Sequence, residues 1–477
     1  MGTPSKPRLS QPLPPNPGKP ITVVHVVSEV TPFAESGGLG LVAGSLPPAL
    51  KALGVNVIVV APRYRSINKE LWTRTDTRFD VQIGRRKSAV TLCEGELSTS
   101  DGQVPVYLLD CPPAFDRKGI YGHRSARDYA DNSWRFALLC QGALQACDAL
   151  GLNVDVFHGH DWPTGLLPLM IDQRRNRASA TVHTIHNLGY HGQFTRDTIA
   201  ELGLDWSCWH PDGAEFWGQL NFLKAGLNYA DKITTVSPTY AEEIRSEEMG
   251  HGLDGVLRSR GDDLVGILNG VDYGSVAPKR DDRQALIKAF ELDAKPDTMI
   301  LGMVSRLVSQ KGIDLIAPAT RSLLEAGRVR LALLGTGEEA LETELRELAH
   351  AFPGLVGTKI QYNNELARLV TSGSDALLMP SRYEPCGLSQ MFALRYGTLP
   401  VVRATGGLAD TVRDGQTGFA FTKPTAEALE VALWRTLDAF GEKKRWDAMK
   451  KAAKAEDFSW DASAQKYVEL YEEIVRG

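Results

Sequence analysis

The chain of 477 residues has no apolar run long enough to cross a bilayer, no excess of basic residues and no paired-cysteine spacing. Each absence removes a class of protein. Val55 to Ala61 is apolar except for Asn56, and its length suits a buried strand and not a membrane span. Lysine and arginine number 53 against 58 aspartates and glutamates, a formal charge of -5. Broad association with nucleic acid or an anionic membrane would need the opposite balance. The six cysteines, Cys93, Cys111, Cys140, Cys147, Cys208 and Cys386, form no CxxC pair, so neither a disulfide framework nor a zinc knuckle is indicated. A reducing compartment follows, and the cytoplasm is the expected location. Residues 1–20 carry Pro14, Pro15, Pro17 and Pro20 without the apolar stretch of a secretory signal, and read as a disordered leader.

What is present points to two large domains. Hydrophobic residues make up 43% and charged residues 23%, ordinary for a globular protein, and the length exceeds what one core usually organises. From Ile21, short β-branched runs alternate with helical stretches: Ile21 to Val27, Val55 to Ala61, Val104 to Leu109, Val154 to His158, Ala180 to Ile185 and Lys232 to Val236. A second series runs through Met299 to Val304, Val329 to Leu334, Ala376 to Met379 and Leu399 to Val402. Such alternation predicts α/β architecture, with parallel sheets covered by helices on both faces. Each series carries a glycine turn ahead of a helix, Ser36-Gly37-Gly38-Leu39-Gly40 and Thr405-Gly406-Gly407-Leu408, which fits two Rossmann-like, doubly wound domains facing a central cleft. The predicted domains are 21–264 and 265–457, with the join between Gly255 and Gly270. Residues 458–477 form a closing helix with Tyr467, Leu470, Tyr471 and Ile474 on one face.

The chemistry is concentrated at strand ends. Arg306 and Lys311 follow a predicted strand, and Glu384-Pro385-Cys386-Gly387-Leu388 follows a later one. Transfer of a sugar from a nucleoside diphosphate needs donors for a departing diphosphate, a recess for the sugar and a site that excludes water. The planar fork of an arginine beside the mobile point charge of a lysine suits phosphate oxygens. A solvated cation pair is the bland alternative for Arg306 and Lys311 taken alone. The Glu384 carboxylate can accept two sugar hydroxyls while the amides of Cys386, Gly387 and Leu388 face sugar or phosphate oxygens. Cys386 itself reads as a small packing residue. With two cations and helix N-terminal amides, no divalent metal and no cofactor is expected. His160 and the pair His186-Asn187 also close predicted strands, where a hydrogen-bonded core histidine is the commoner role. A competing reading takes His158, His160, Asp161, His183 and His186 as a metal-hydrolase cluster. It leaves Arg306, Lys311 and Glu384 without a role.

Together with Gly37-Gly38-Leu39, His158-Gly159-His160-Asp161-Trp162, Asn221-Phe222-Leu223-Lys224-Ala225-Gly226 and Ser237-Pro238-Thr239-Tyr240-Ala241, these motifs resemble the bacterial glycogen synthase and plant starch synthase family, over about Ile21 to Val475. The resemblance implies a GT-B fold of two Rossmann-like domains, the last helix crossing back to the first. It further implies a retaining glucosyltransferase that moves α-glucose from ADP-glucose to the 4-hydroxyl at the non-reducing end of an α-1,4-glucan. On the same ground His160 lies beside the donor sugar, Tyr362 near the nucleotide base, and Asp131, His186 and Asn187 near the substrate. Asp131 is equally explained by its place at a helix start.

Departures from the family pattern concern the first domain. Where relatives carry Lys-Thr-Gly-Gly-Leu-type sequences ending in Asp, this chain has Glu35-Ser36-Gly37-Gly38-Leu39-Gly40-Leu41. An anion stands at Glu35 in place of a cation, and apolar Leu41 in place of a carboxylate. Glu35 beside a diphosphate is repulsive unless protonated, paired or turned away. Ser389 replaces a threonine and keeps the hydroxyl, Gln361 replaces a glycine, and Tyr273 to Asp297 is short. Two alternatives therefore stand beside the leading one: a related GT-B transferase using another donor or acceptor, and a non-catalytic glucan binder. Trp134, Trp206, Trp209 and Trp217 are read as core residues.

Overall fold

The computed structural model describes residues 19–99, 102–122, 128–174, 179–273, 282–361 and 363–476. The leader as far as residue 18, and Tyr362, lie outside the described residues. The chain divides into two compact units. The first holds residues up to Val236, Ala241–Gly270 and Trp460 onward, and the second holds Ser237–Tyr240 and Val271–Ser459.

In the first unit β1 (Thr22–Val26), β2 (Asn56–Pro62), β3 (Trp72–Ile83), β4 (Arg86–Thr99), β5 (Gly102–Asp110), β6 (Val156–His160) and β7 (Ala180–Ile185) are followed by three short strands, β8 (Gln193–Thr195), β9 (Glu215–Phe216) and β10 (Gln219–Asn221), and by β11 (Lys232–Thr235) and β12 (Leu264–Gly266). The main sheet runs β12-β11-β7-β6-β1-β2-β5-β4-β3, and β8, β10 and β9 form a separate antiparallel sheet. All pairs from β12 to β5 are parallel. Their apolar side chains are buried on both faces, which is why the strands read as continuous β-branched runs.

An all-parallel sheet is not what forms at the other edge. β3 and β4 make a long antiparallel hairpin against β5. In β3 half-buried and exposed residues alternate, the mark of a strand with one solvated face. The helix Gly38–Ala52 follows β1, and Asn132–Ala149, buried on nearly every side, precedes β6. The last helix, Trp460–Arg476, packs within this first unit: Ser463 donates to the Leu268 carbonyl at 2.5 Å, and a Cβ on Gly270 would come within 2.6 Å of the Trp460 backbone. Tyr467, Leu470 and Tyr471 are buried.

In the second unit β13 (Met299–Leu307), β14 (Val329–Gly337), β15 (Val356–Ile360), β16 (Ala376–Met379), β17 (Leu399–Arg403) and β18 (Phe419–Phe421) form one parallel sheet, ordered β15-β14-β13-β16-β17-β18. This is the Rossmann order, and the parallel part of the first sheet repeats it with β1 and β6 at the centre. Strand order therefore reverses between β1 and β6, and again between β13 and β16. Ligands in doubly wound sheets bind outside the strand ends at such a reversal. The expected boundary at 264/265 moves to Gly270/Val271, because β12 pairs with β11 and so belongs to the first sheet.

Candidate active site

In the second unit the reversal brings the two sequence motifs together. Arg306 lies in the last turn of strand β13 rather than beyond it, and Lys311 follows in the short turn Ser309–Lys311. Gly312 at φ 63 ends that turn, where a Cβ would strike the Pro380 carbonyl. This close approach sets Lys311 beside the segment leaving β16. Lys311 Nζ donates to Glu384 Oε2 at 2.5 Å, and the Ser381 hydroxyl donates to the same oxygen at 2.9 Å. Glu384 is 5% exposed. Its carbonyl accepts from Gly407 N at 3.1 Å, and Ser237 Oγ donates to the Pro385 carbonyl at 2.6 Å.

The turn Pro385-Cys386-Gly387 is held by close backbone contacts. Gly406 at φ 44 abuts the Glu384 carbonyl, Gly407 abuts the Cys386 carbonyl, and Gln390 Nε2 donates to the carbonyls of Cys386 and Gly387 at 3.0 and 2.8 Å. Any side chain at 406 or 407 would push the Glu384 segment away. Cys386 is buried, consistent with packing, and Leu388 caps the helix that Ser389 begins. The Arg306 guanidinium is exposed and has no hydrogen bond or ion pair among the described residues. One carboxylate is thus buried and paired, while one cation is left uncompensated, an arrangement that favours an anion.

In the first unit the reversal is filled with imidazoles. His25 in β1 is in register with His158 in β6, and His160 ends β6 instead of following it. His160 Nε2 meets His25 Nδ1 at 3.0 Å, and His160 Nδ1 meets His186 Nε2 at 3.0 Å. His158 bonds the Tyr471 hydroxyl at 2.7 Å and Thr184 Oγ1 at 2.6 Å. His160 is 1% exposed. Both of its ring nitrogens are therefore occupied, and contact with a sugar hydroxyl requires it to release one neighbour. His186, half-buried, is the outer end of the row, and Asn187 follows it.

Burial drives every one of these rings toward the neutral form. His25, His183 and His186 are lowered to about 3, and His158 and His160 fall well below the ordinary value, with neighbouring histidines adding to the shift in the last two. Asp161, at φ 53, accepts from the backbone N–H of His186 at 2.7 Å and of Asn187 at 3.3 Å. Burial still pushes its carboxyl up to about 7. The ring nitrogens of His25, His158 and His160 lie within 4.8 Å of one another. The metal-hydrolase reading shares His158 and His160 with this set but did not name His25, and its Asp161 and His183 do not join: the Asp161 carboxylate is spent on backbone, and the two His183 nitrogens, beside Gly159 and Gly226, have no partner among the described residues.

The glycine turn is anchored by a residue that sequence reasoning missed. Glu29, 3% exposed just past β1, accepts from the backbone N–H of Ser36, from Ser36 Oγ at 2.8 Å and from the Tyr121 hydroxyl at 2.5 Å. A lone acid nine residues ahead of a helix carried no signal of this. Glu35 accepts from Thr31 Oγ1 at 2.8 Å and is exposed, so it is engaged by its neighbour; Leu41 is 42% exposed. Asp131 does not cap the helix that follows. It takes two hydrogen bonds of 2.6 Å from Arg117, which outweigh its burial and hold the carboxyl below the ordinary range. Of the four tryptophans read as core, Trp134 is buried, but Trp206 is 48% and Trp217 82% exposed. Both flank the short strand β9, Trp206 in the turn before it and Trp217 directly after it, while Trp209 is partly buried.

A Cβ on Gly37 or Gly38 would meet nothing within 4 Å, and Gly37 has φ -171, which any residue adopts. Neither glycine is needed for the fold, so the empty space in front of the helix N-terminus is the property they maintain. Gly38→Ala is expected to fold with unchanged or slightly raised stability, up to about 1 kcal/mol. Its affinity for a nucleoside diphosphate should fall roughly tenfold. Thermal melts and isothermal titration with ADP check the two halves separately. Unchanged ADP affinity would remove the turn from the site.

Two Rossmann-ordered domains, with an unpaired arginine and a lysine–glutamate pair at one reversal and polar strand ends at the other, define a glycosyltransferase. Residues 22–259 match the family profile described as starch synthase catalytic domain, and 285–455 match glycosyl transferases group 1. The chain is 41% identical to a glycogen synthase of Anaeromyxobacter dehalogenans over 95% of this chain and 99% of the other. With a glycogen synthase of Syntrophotalea carbinolica the identity is 40% over the same shares. The catalytic domain of starch synthase IV from Arabidopsis thaliana, solved bound to ADP and acarbose, superposes with a TM-score of 0.87 at 30% identity, covering 96% of this chain and all of that one. Sucrose-phosphate synthase from Thermosynechococcus elongatus, at 19% identity and a TM-score of 0.61, shares the fold. The chain belongs to the glycogen synthase and starch synthase family of glycosyltransferases.

Proposed function

We propose that this protein transfers glucose from ADP-glucose to the 4-hydroxyl at the non-reducing end of an α-1,4-glucan, with retention of configuration and without a metal ion. The observation that carries the reading is the second-unit site at the β13–β16 reversal: Arg306, exposed and without a side-chain partner among the described residues, and a Glu384 carboxylate oriented by Lys311 and Ser381. The ADP in the related starch synthase IV structure supports the adenine nucleotide, and its acarbose supports a glucan acceptor. In the proposed reaction the cations and turn amides stabilise the departing diphosphate, and Glu384 binds the sugar and opposes the positive charge that develops on its ring. A cytoplasmic setting fits six buried cysteines with no CxxC spacing; no described helix is long and apolar enough to cross a membrane.

Diphosphate release from ADP-glucose and UDP-glucose, with and without glycogen and in a chelator, tests donor, acceptor and metal together. Glycogen-dependent ADP release under those conditions is expected. Loss of turnover in chelator would overturn the metal-free part, and release only from the uridine donor would overturn the base. For Glu35 the expectation is specific. Glu35→Lys removes an anion from beside the glycine turn and should lower KM for the donor by roughly three- to tenfold, the effect of one partly screened charge. An unchanged KM would show that the Thr31 bond already keeps Glu35 out of play.

A further inference from the structure

The histidine row does not stop at β1. Tyr471, on the last helix, is fully buried, with its hydroxyl 2.7 Å from His158 Nδ1 and 3.5 Å from His25 Nε2. Beyond His158, Thr184 Oγ1 meets Thr234 Oγ1 at 2.5 Å. A continuous chain of hydrogen bonds therefore runs Thr234, Thr184, His158, Tyr471, His25, His160, His186. It is built from four strands, β1, β6, β7 and β11, and the C-terminal helix.

A neutral imidazole has one donor and one acceptor nitrogen, and a phenol has one proton. Only two arrangements make every bond of the row and leave no buried O–H or N–H without an acceptor; letting both His158 and His25 donate to Tyr471 would strand the phenol proton. In one, every proton points inward: His186 donates to His160 Nδ1, His160 donates from Nε2 to His25, His25 donates from Nε2 to Tyr471, Tyr471 donates to His158, and His158 donates to Thr184. In the other every bond is reversed, and His186 presents an N–H outward from Nδ1. The charged form of any ring would break an acceptor and is disfavoured by burial. The hydroxyl of Tyr471 is the one link through which His158 and His25 must agree.

We propose that Tyr471 is a positioning residue for the active site: by joining His158 to His25 it fixes which nitrogen of His160, and hence of His186, carries the proton. The proposal deepens the transferase reading and rests on it for its kinetic half. No proton is gained or lost by the row as a whole. Only the order of protons within it changes, and the helix Trp460–Arg476 becomes part of the site without touching substrate.

Tyr471→Phe keeps the ring and deletes the link. His25 Nε2 then has no partner, and a buried N–H there becomes costly, so the arrangement with the proton on His25 Nδ1 gains. In ring-15N-labelled protein without ligand, His160 should show one tautomer in the parent and a shift of its tautomer ratio by roughly tenfold in the variant. Glycogen-dependent turnover should fall in kcat with donor KM within about twofold, since binding is not what the link controls. Tyr467→Phe, which alters a ring packed against His158 from the same helix but makes none of the bonds named above, controls for packing. A parent protein with His160 already averaged between tautomers would overturn the proposal without any variant. So would Tyr471→Phe with tautomer and kcat both unchanged. A shifted tautomer in a protein with no transferase activity would uphold the coupling and defeat the transferase reading instead.

Discussion

Replacing Arg306 by Ala is expected to abolish most turnover while leaving stability within about 0.5 kcal/mol, the range for surface positions without partners. The reason is asymmetry within one site. Arg306 has no described hydrogen bond or ion pair to lose, whereas Lys311 and Glu384 hold each other at 2.5 Å with side chains 19% and 6% exposed. Glu384→Gln should cost roughly a hundred- to a thousandfold in kcat, the loss usual when one preorganised electrostatic group is removed from a water-excluded site. Its folding cost should be small, about 1–2 kcal/mol, because Lys311 is exposed enough to turn to water. Lys311→Ala is the damaging change for folding. It strands a carboxylate that only Ser381 still satisfies, at roughly 3–5 kcal/mol. The order of loss in thermal melts, Lys311 then Glu384 then Arg306, with all three inactive in ADP release, separates a substrate site from a structural ion pair. Arg306→Ala with normal turnover would sink the assignment of the diphosphate to this reversal.

How much of this was legible in the sequence depends on what a residue's neighbours share with it. The central strands were readable because both faces of a parallel sheet demand apolar side chains, and the motif ends fell where the strands ended. The β3–β4 hairpin was not readable as part of the sheet: Thr73, Arg74, Asp76, Arg78 and Asp80 give it a polar face, and the period-two alternation was hidden among charges. His25, inside a valine strand, drew no notice in the sequence, and Tyr471 read as one more contact on the face of a helix. Their meaning comes from register and from a packing partner hundreds of residues away, which local pattern cannot carry. Glu29 and the Arg117–Asp131 pair have nearer partners, 7 to 92 residues away, but these are set by loop geometry that no sequence period marks. Arg306, Lys311 and Glu384 were legible as a set only because each lies at or just past the end of a strand that the sequence marks.

Acid should unfold this protein unusually steeply. Five histidines, His25, His158, His160, His183 and His186, are held neutral in the fold by burial, with folded values near 3 or well below the ordinary one. In the unfolded chain each takes up a proton near pH 6.5. Between about 6.5 and 3 the unfolded state binds more protons, so stability falls as pH falls. Asp161 works the other way: raised to about 7, it binds its proton more tightly when folded, so its contribution is largest at low pH and is lost as pH rises toward 7. It offsets about one of the five. With His191, lowered by burial to about 4, adding nearly one more, unfolding near pH 5.5 should take up about four to five protons, a slope of roughly 6 kcal/mol per pH unit. One unit of that slope rivals the whole folding free energy of an ordinary domain. Denaturant melts from pH 8 to 5 should show a near plateau above 7 and a collapse below 6. His183→Leu, which removes a ring with no hydrogen-bond partner, should lower proton uptake by about one and raise stability at pH 5.5 relative to the parent. A midpoint that stays level from pH 7.5 to 5 would mean that the row of rings accepts a proton without breaking, and that the neutral hydrogen-bonded chain is not the state that folds.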